Sequence, residues 1–261
     1  MRVGSQRLVQ PRKGTDLTGQ EASTKPRRAT NHRPETADLP AALSVASHDV
    51  AEALRVVSGY LELLESHVEG GLDETAGRYV TGVRNGIDHL DALLTGVLAY
   101  VRVNVETPSL ERVDLADCLE DALRPLRTAL EDRQARVEFG DLPELVADPG
   151  RTRDLLRALI TNALAFASDE PLVVAVTAER EPDGWRIEVR DNGIGMPEDA
   201  RERVLEPFER AHPRSKATGP GLGLAIARCT VQRRGGRLWL EGAERGGTVV
   251  RFTIPDEVPA P

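Results

Sequence analysis

Two long apolar stripes dominate the first part of the sequence. Apolar residues recur at alternating spacings of four and three from Leu39 to Leu64, and again from Ala76 to Val101. This heptad spacing predicts amphipathic helices, and the turn SHVEGGLDE, in which Asp73 can cap the second helix, predicts an antiparallel hairpin over residues 38–105. Flanking leucines, together with Tyr79 beside the second stripe, make each stripe wider than one partner helix can cover. We therefore expect a homodimer in which two hairpins form a four-helix bundle, unless the chain's own second domain covers the stripes.

A histidine stands on the far side of the first stripe. If Ala46 and Val50 occupy successive d and a positions, His48 falls at position f and faces solvent. A neutral imidazole keeps a free lone pair and can act as a nucleophile. Asp49 and Glu52 are the carboxylates that could orient the ring or accept its proton. A solvated surface histidine without a function is the alternative.

The pattern changes to strands and helices over residues 109–257, which predicts one α/β domain. In the stretch ADPGRTRDLLRALITNALAFA, Asp148 followed by Pro149 predicts the start of a helix. Asn162 lies at the edge of the apolar face of this helix, where its amide oxygen could bind Mg²⁺. An ordinary boundary asparagine is the alternative.

The stretch WRIEVRDNGIGMPEDA predicts a half-buried strand that ends at Asp191. A carboxylate at a strand end can accept the amino proton of adenine, and Gly193 and Gly195 let the backbone turn close to a flat ligand. The alternative is a hairpin turn, because Asp-Asn-Gly is common in such turns.

A glycine-rich stretch, TGPGLGLAI, precedes a further helix. Gly219, Gly221 and Gly223 would expose backbone N–H groups to an anion such as a phosphate. The residues before it, which include Lys216, are typical of a mobile lid. Two alternating strands in GRLWLEGAERGGTVVRFTIP close the sheet, and we place Thr248 in this segment among the ligand-binding residues.

Composition limits the setting in which such a chain works. Residues 1–37 carry eight Lys/Arg and three Asp/Glu, a charge of +5 within a net charge of −8, so residues 38–261 carry −13. We expect a disordered basic tail and an acidic body for which nucleic acid is not the main partner. The two cysteines have no metal or disulfide spacing, and no apolar run could cross a bilayer. A cytoplasmic location is expected.

The order of these stretches resembles sensor histidine kinases. SHDVAEALR resembles their phosphoacceptor box, LITNALAFA their N box, DNGIG their first glycine box, EPFER their F box and GPGLGLAI their second glycine box. The hairpin is most similar to kinases of phytochrome type. The resemblance covers residues 41–257 and implies an α+β fold. In the fold that the resemblance implies, a dimeric hairpin precedes an ATP-binding α/β sandwich whose mixed sheet packs on helices.

The resemblance also implies roles for single residues. His48 would accept the γ-phosphoryl group of ATP, assisted by Asp49, and pass it to an aspartate of a response regulator. Asn162 would bind Mg²⁺, Asp191 would bind adenine, and Phe208 would anchor the lid. Gly193 and Gly195 would border the base, and Gly219, Gly221 and Gly223 would face the phosphates. A sensory protein could supply the input in trans.

The sequence departs from the family pattern at four positions. Ala158 and Ala165 replace an asparagine and a lysine of the N box, so ATP binding would be weak unless Arg214 or Lys216 compensates. Ala53 replaces a helix-kinking proline. Glu52 stands where phosphatase-competent members hold a water molecule with Thr or Asn, and we predict weak phosphatase activity because a carboxylate repels phospho-aspartate.

Two other functions are open on the sequence. Ala158 and Ala165 are compatible with a degenerate, non-catalytic dimeric scaffold that binds a response regulator or a nucleotide. Another ATPase of the gyrase, chaperone and mismatch-repair superfamily would share the glycine boxes but not the hairpin that bears a histidine.

Overall fold

The computed structural model describes residues 38–67, 72–211, 219–243 and 246–257, with side chains from Asp49 onward. The described residues belong to one compact unit. In this unit a helical hairpin precedes helices that pack on a mixed β-sheet, which confirms the α+β class expected from the sequence. The predicted basic tail lies outside the described residues.

The hairpin consists of α1 (Asp38–His67) and α2 (Glu74–Val105). Asp73 caps α2 as predicted, because its side chain accepts a hydrogen bond of 2.7 Å from the Ala76 N–H. An ion pair of 2.6 Å between Glu65 and Arg84 connects the two helices near the turn.

The heptad stripe of α1 is not the face that contacts α2. The partly buried residues of α1 from Asp49 onward are Ala51, Leu54, Ser58, Gly59 and Leu61. The stripe residues Val50, Val57, Tyr60 and Leu64 are between 44% and 70% exposed, and Tyr79, Val83 and Leu90 of α2 are exposed as well. Each helix therefore turns one stripe toward the other and leaves a second apolar stripe uncovered by the described residues.

The described part of the chain after the hairpin contains four more α-helices and seven strands. The helices are α3 (Leu115–Leu123), α4 (Arg127–Asp132), α5 (Pro149–Ala165) and α6 (Gly223–Arg233). Strands β1 (Glu111–Asp114) and β3 (Glu144–Ala147) form an antiparallel pair. The main sheet has the order β2 (Arg136–Phe139), β4 (Val173–Glu181), β5 (Gly184–Asp191), β7 (Thr248–Pro255) and β6 (Leu238–Gly242). Among these strands only the β2–β4 pair is parallel, so the sheet is mixed as predicted.

One face of the main sheet forms the core with the helices. Val176, Ile187 and Phe252 are fully buried on the neighbouring strands β4, β5 and β7. Leu119 of α3 and Ile160 of α5 are among the buried helix residues of the same core. Burying each of these side chains stabilises the fold by roughly 1.5–3 kcal/mol. Ile187 and Val189 of β5 are buried and alternate with less buried residues, which confirms the predicted half-buried strand.

The Asp-Asn-Gly stretch is not a hairpin turn. After Asp191 the chain leaves the sheet, and β5 pairs with β4 and β7 rather than with the residues that follow it. Asn192 stabilises this exit, because its side-chain oxygen accepts a hydrogen bond of 2.8 Å from the Val173 N–H. The hairpin alternative is therefore wrong.

Within the described residues, no helix combines the length and apolar character needed to cross a membrane. Cys118 and Cys229 are both free thiols.

Candidate functional site

Asp191 stands at the end of β5 with one carboxylate oxygen held by the backbone. Its Oδ1 accepts hydrogen bonds from the N–H groups of Gly193 at 2.8 Å and Thr248 at 3.1 Å. Burial raises the pKa of Asp191 above its ordinary value, and these two hydrogen bonds oppose the shift. Neither bond uses Oδ2, which can therefore accept a hydrogen bond from a ligand.

Close backbone contacts require the glycines around Asp191. A Cβ on Gly193 would lie 2.4 Å from the carbonyl oxygen of Phe166, the C-cap residue that follows α5. Gly195 has a φ of +73°. Gly247, which the sequence analysis missed, has a φ of +93°, and a Cβ there would lie 2.0 Å from the Asp191 carbonyl oxygen. Its position in a Gly-Gly pair just before β7 is the signal that could have identified it.

The glycine-rich stretch leads directly into α6. No described side chain caps the N-terminus of α6, so its first backbone N–H groups can bind an anion. Gly221 has a φ of +74°, and its carbonyl oxygen accepts a hydrogen bond of 3.0 Å from the Phe208 N–H. Phe208 also has a positive φ, and its side chain is exposed. The F box therefore contacts the glycine-rich loop through its backbone.

These elements surround a cavity of about 1030 Å³. Most of the predicted ligand-binding residues line it, namely Asn162, Asp191, Gly195, Gly219, Gly221, Gly223 and Thr248. Ala158 and Ala165 also line it, at the positions where charged or polar groups were expected. Gly193 and Phe208 are not among the lining residues, and Lys216 lies outside the described residues.

Helix α2 of the hairpin supplies one wall of this cavity. Ala92, Thr95, Ala99 and Arg102 line it from the hairpin side. A Cβ on Gly96 would lie 2.7 Å from the Cδ1 atom of the buried Leu222. The glycine permits α2 to approach the loop this closely.

Arg151, which the sequence analysis also missed, joins the end of α2 to α5. Its guanidinium donates hydrogen bonds to the carbonyl oxygens of Val103 at 3.3 Å and Glu106 at 2.8 Å. Asn104 contacts α6, because its side-chain oxygen lies 3.1 Å from the sulfur of Cys229. These contacts satisfy carbonyl groups that a helix end leaves free and fix α2 against both helices.

The predicted catalytic residues lie on α1. His48 is within this helix, and its side chain lies outside the described residues. Asp49 and Glu52 are exposed. Glu52 forms an ion pair of 3.1 Å with Arg55, and both side chains are largely solvated, so this pair restrains Glu52 only weakly.

Comparison with known proteins identifies this architecture. Residues 147–258 match the family described as histidine kinase-, DNA gyrase B- and HSP90-like ATPase. The chain is 32% identical over 227 residues to the phytochrome-like protein Cph1 of Synechocystis, an alignment that covers 87% of this chain and 30% of Cph1. The chain thus spans less than a third of the length of that relative.

Two solved structures extend the comparison. Full-length ShkA in complex with AMPPNP superposes with a TM-score of 0.63 at 30% identity, over 85% of this chain and 47% of that one. Histidine kinase ThkA in complex with the response regulator TrrA shares the fold, with a TM-score of 0.59 at 20% identity over 86% of this chain and 64% of that one. This chain is therefore a relative of the sensor histidine kinases, and residues 147–258 are its histidine kinase-, DNA gyrase B- and HSP90-like ATPase domain.

Proposed function

We propose that the protein is an ATP-dependent protein-histidine kinase that phosphorylates His48 and passes the phosphoryl group to an aspartate of a response regulator. The main support for this proposal is the lining of the cavity. The cavity has residues of the ATPase family on one side and α2 of the histidine-bearing hairpin on the other. A nucleotide held there is adjacent to the helix pair that contains His48.

The residues of the cavity suit ATP. We propose that Oδ2 of Asp191, which neither backbone hydrogen bond uses, accepts a hydrogen bond from the adenine amino group, and that Gly195, which also lines the cavity, borders the ring. The uncapped N-terminus of α6 and the preceding glycines can bind the phosphates through backbone N–H groups. The close fit of Gly193 against Phe166 keeps the backbone around the base in place.

The donor set also suits Mg²⁺ bound together with the phosphates. Asn162, whose side-chain amide oxygen is a suitable ligand for Mg²⁺, lines the cavity. The described residues contain no cluster of three or more carboxylate, histidine or cysteine groups that could hold a metal ion without a ligand. Mg²⁺ commonly takes only one or two protein ligands and completes its shell with phosphate oxygens and water. When bound, the ion would neutralise phosphate charge.

The chemical step that we propose requires few groups. A nitrogen of the His48 imidazole attacks the γ-phosphorus, the N–P bond forms, and the bond from phosphorus to the bridging oxygen breaks, which releases ADP. The proton of the other ring nitrogen passes to a nearby carboxylate, for which we propose Asp49 or Glu52. Both are exposed on α1 within one turn of His48.

The proposal includes a homodimer and a docked response regulator. The stripe of Val50, Val57, Tyr60 and Leu64 stays exposed, and the rest of the described chain does not cover it. Pairing with a second hairpin would bury it. ThkA, which shares the fold, was solved with a response regulator, and the polar face of our hairpin is the docking surface that we propose. The free thiols of Cys118 and Cys229 are compatible with a cytoplasmic location.

Labelling with ATP tests the proposed function. The full chain is incubated with γ-labelled ATP and Mg²⁺, and bound label is tested for acid lability and alkali stability, the properties of phosphohistidine. We expect labelling in the wild type and none in His48→Gln with ATP binding retained. Nucleotide binding without label would indicate the scaffold, and ATP hydrolysis with no protein-bound label would indicate another ATPase of the superfamily.

A further inference from the structure

Three faces of α2 have different surroundings. Val80, which is buried, and Arg84 and Ile87, which are partly buried, form the stripe toward α1. Tyr79, Val83 and Leu90 form an exposed apolar stripe, which is the surface we propose for the dimer. Thr95, Ala99 and Val103 line the nucleotide cavity. At about 100° of rotation per residue, the cavity stripe lies about 100° to one side of the α1-facing stripe, and the exposed stripe lies about 80° to the other.

Helix α1 has an equivalent division. Ala51, Leu54 and Leu61 are partly buried toward α2, and Val50, Val57 and Leu64 are exposed. By the same rotation, the exposed stripe lies about 80° to one side of the α2-facing stripe, and helix position 48 lies about 100° to the other. Position 48 and the apolar stripe are thus on opposite sides of α1.

The antiparallel arrangement determines which stripes of the two helices lie on the same face of the hairpin. Seen from the N-terminus of α1, its residues turn clockwise, whereas α2 approaches the viewer and its residues turn anticlockwise. With this reversal, the exposed stripes of both helices fall on one face of the hairpin. Position 48 and the cavity-lining stripe of α2 fall together on the opposite face. This result does not depend on the turn residues 68–71.

The axial positions also coincide. Glu65 and Arg84 are paired across the hairpin. His48 precedes Glu65 by seventeen residues on α1, and Val101 follows Arg84 by seventeen residues on α2. In an antiparallel hairpin His48 and Val101 therefore lie at the same level along the helix axes. Leu98, Ala99 and Arg102, which line the cavity, flank this level. Packed helices are separated by about 8–10 Å, so the cavity and position 48 are neighbours within one chain.

We propose that each chain phosphorylates its own His48, so that autophosphorylation occurs in cis. This inference rests on the proposed kinase function and names which histidine its nucleotide site serves. A partner's hairpin packed on the exposed apolar stripes would place its own position 48 on the far side of the bundle. The ATPase domain contacts α2 on the side away from those stripes. The site would have to pass around its own hairpin to reach the partner's histidine.

Heterodimers of full-length chains test this proposal. One chain carries His48→Gln and the other Asp191→Asn, each with a different tag, and the mixed dimer is isolated before labelling with γ-labelled ATP. The amide introduced by Asp191→Asn retains an oxygen that can accept the bonds from Gly193 and Thr248, so the substitution preserves the local fold. If phosphorylation occurs in cis, this heterodimer should carry no label above background. Label on the Asp191→Asn chain, in the amount found per chain of the wild type, would overturn the proposal.

The complementary heterodimer pairs a wild-type chain with a chain that carries both substitutions. Phosphorylation in cis predicts label on the wild-type chain at half the amount found per wild-type dimer, and absence of label would overturn it. If the protein is monomeric, a labelling rate per chain that stays constant on serial dilution supports the proposal, and a rate that falls with concentration overturns it. Failure of the wild-type homodimer to label would contradict the kinase function instead.

Discussion

Gly96 of α2 lies against Leu222 of the glycine-rich loop, and a Cβ at position 96 would stand 2.7 Å from the Leu222 Cδ1 atom. Leu222 is 2% exposed and cannot move aside without disturbing its neighbours. The contact between the hairpin and the nucleotide cavity therefore depends on the absence of one methyl group.

Gly96→Ala should weaken the contact between α2 and the loop. Alanine favours a helix by about 1 kcal/mol over glycine, but at this position the added methyl group clashes with Leu222. We expect faster hydrogen exchange at the end of α2 and a lower rate of autophosphorylation. Gly86→Ala is the matched control, because apart from the adjoining backbone of α2 no atom of the described residues lies within 4 Å of its Cβ position. Equal behaviour of the two variants would contradict the structural role assigned to Gly96.

Arg151→Met should destabilise the docked arrangement. The substitution keeps an unbranched apolar stem in place of the arginine methylene groups but removes the donors to the Val103 and Glu106 carbonyl oxygens. Hydrogen bonds from charged groups contribute about 1.5–3 kcal/mol, and we expect a loss in the lower part of this range in urea unfolding. Arg153→Met, at a more exposed arginine of the same helical turn, is the control. An unchanged midpoint for Arg151→Met would show that the contact does not stabilise the fold.

Acidification should weaken ATP binding through Asp191. Burial holds the pKa of this carboxyl above its ordinary value, so it becomes protonated at a higher pH than an exposed aspartate and loses the ability to accept at both oxygens. Affinity measured by calorimetry should fall as the pH falls through this raised pKa. In Asp191→Asn the binding should be weak at every pH, and this part of the pH dependence should be absent.

The same shift predicts a pH dependence of stability. Because the folded pKa of Asp191 is raised, its stabilising contribution is present below the unfolded pKa and is lost as the pH rises through the folded pKa. Asp191→Asn should therefore gain stability relative to the wild type as the pH rises. A constant difference in the free energy of unfolding over this range would contradict the assignment.

Val57→Glu should disrupt the proposed dimer. Val57 belongs to the exposed stripe that we assign to the partner hairpin, and a carboxylate in a dry bundle would be costly. Val56→Glu is a close control, because Val56 is exposed to a similar extent but points about 100° away on the helix. Light scattering at micromolar concentration should show monomers only for Val57→Glu. Monomers for the wild type would remove the dimer from the proposal.

Ala165→Lys should strengthen nucleotide binding. Ala165 is exposed and lines the cavity, and the lysine typical of the family is missing at this position. A solvated ion pair with a phosphate contributes up to about 1 kcal/mol, which corresponds to a gain of about 3- to 5-fold in affinity for ATP. Ala129→Lys, an exposed position on α4, controls for the change in net charge. Adenosine binding should not change in either variant.

The sequence was sufficient for features that depend on local chemistry. Asp73 and Asp148 were predicted as helix caps, and both accept hydrogen bonds from the first turns of α2 and α5. The strand that ends at Asp191 followed from alternation. These predictions succeed because capping and period-two burial are encoded within a few residues of one another.

Other features depend on contacts between distant segments. Gly96 and Gly86 cannot be told apart in the sequence, and only the approach of Leu222 distinguishes them. Arg151 is one of several arginines in its helix, and its role requires the end of α2 nearby. The face of α1 that meets α2 was also not evident, because two apolar stripes of similar strength compete for one neighbour.

Helix α2 presents separate stripes to α1, to the exposed surface and to the cavity. A rotation of α2 about its axis therefore moves all three stripes together. A twist of α2 about its axis would turn Thr95 and Ala99 relative to the cavity. Under the proposed function, torsion of this one helix would therefore change the geometry of phosphoryl transfer.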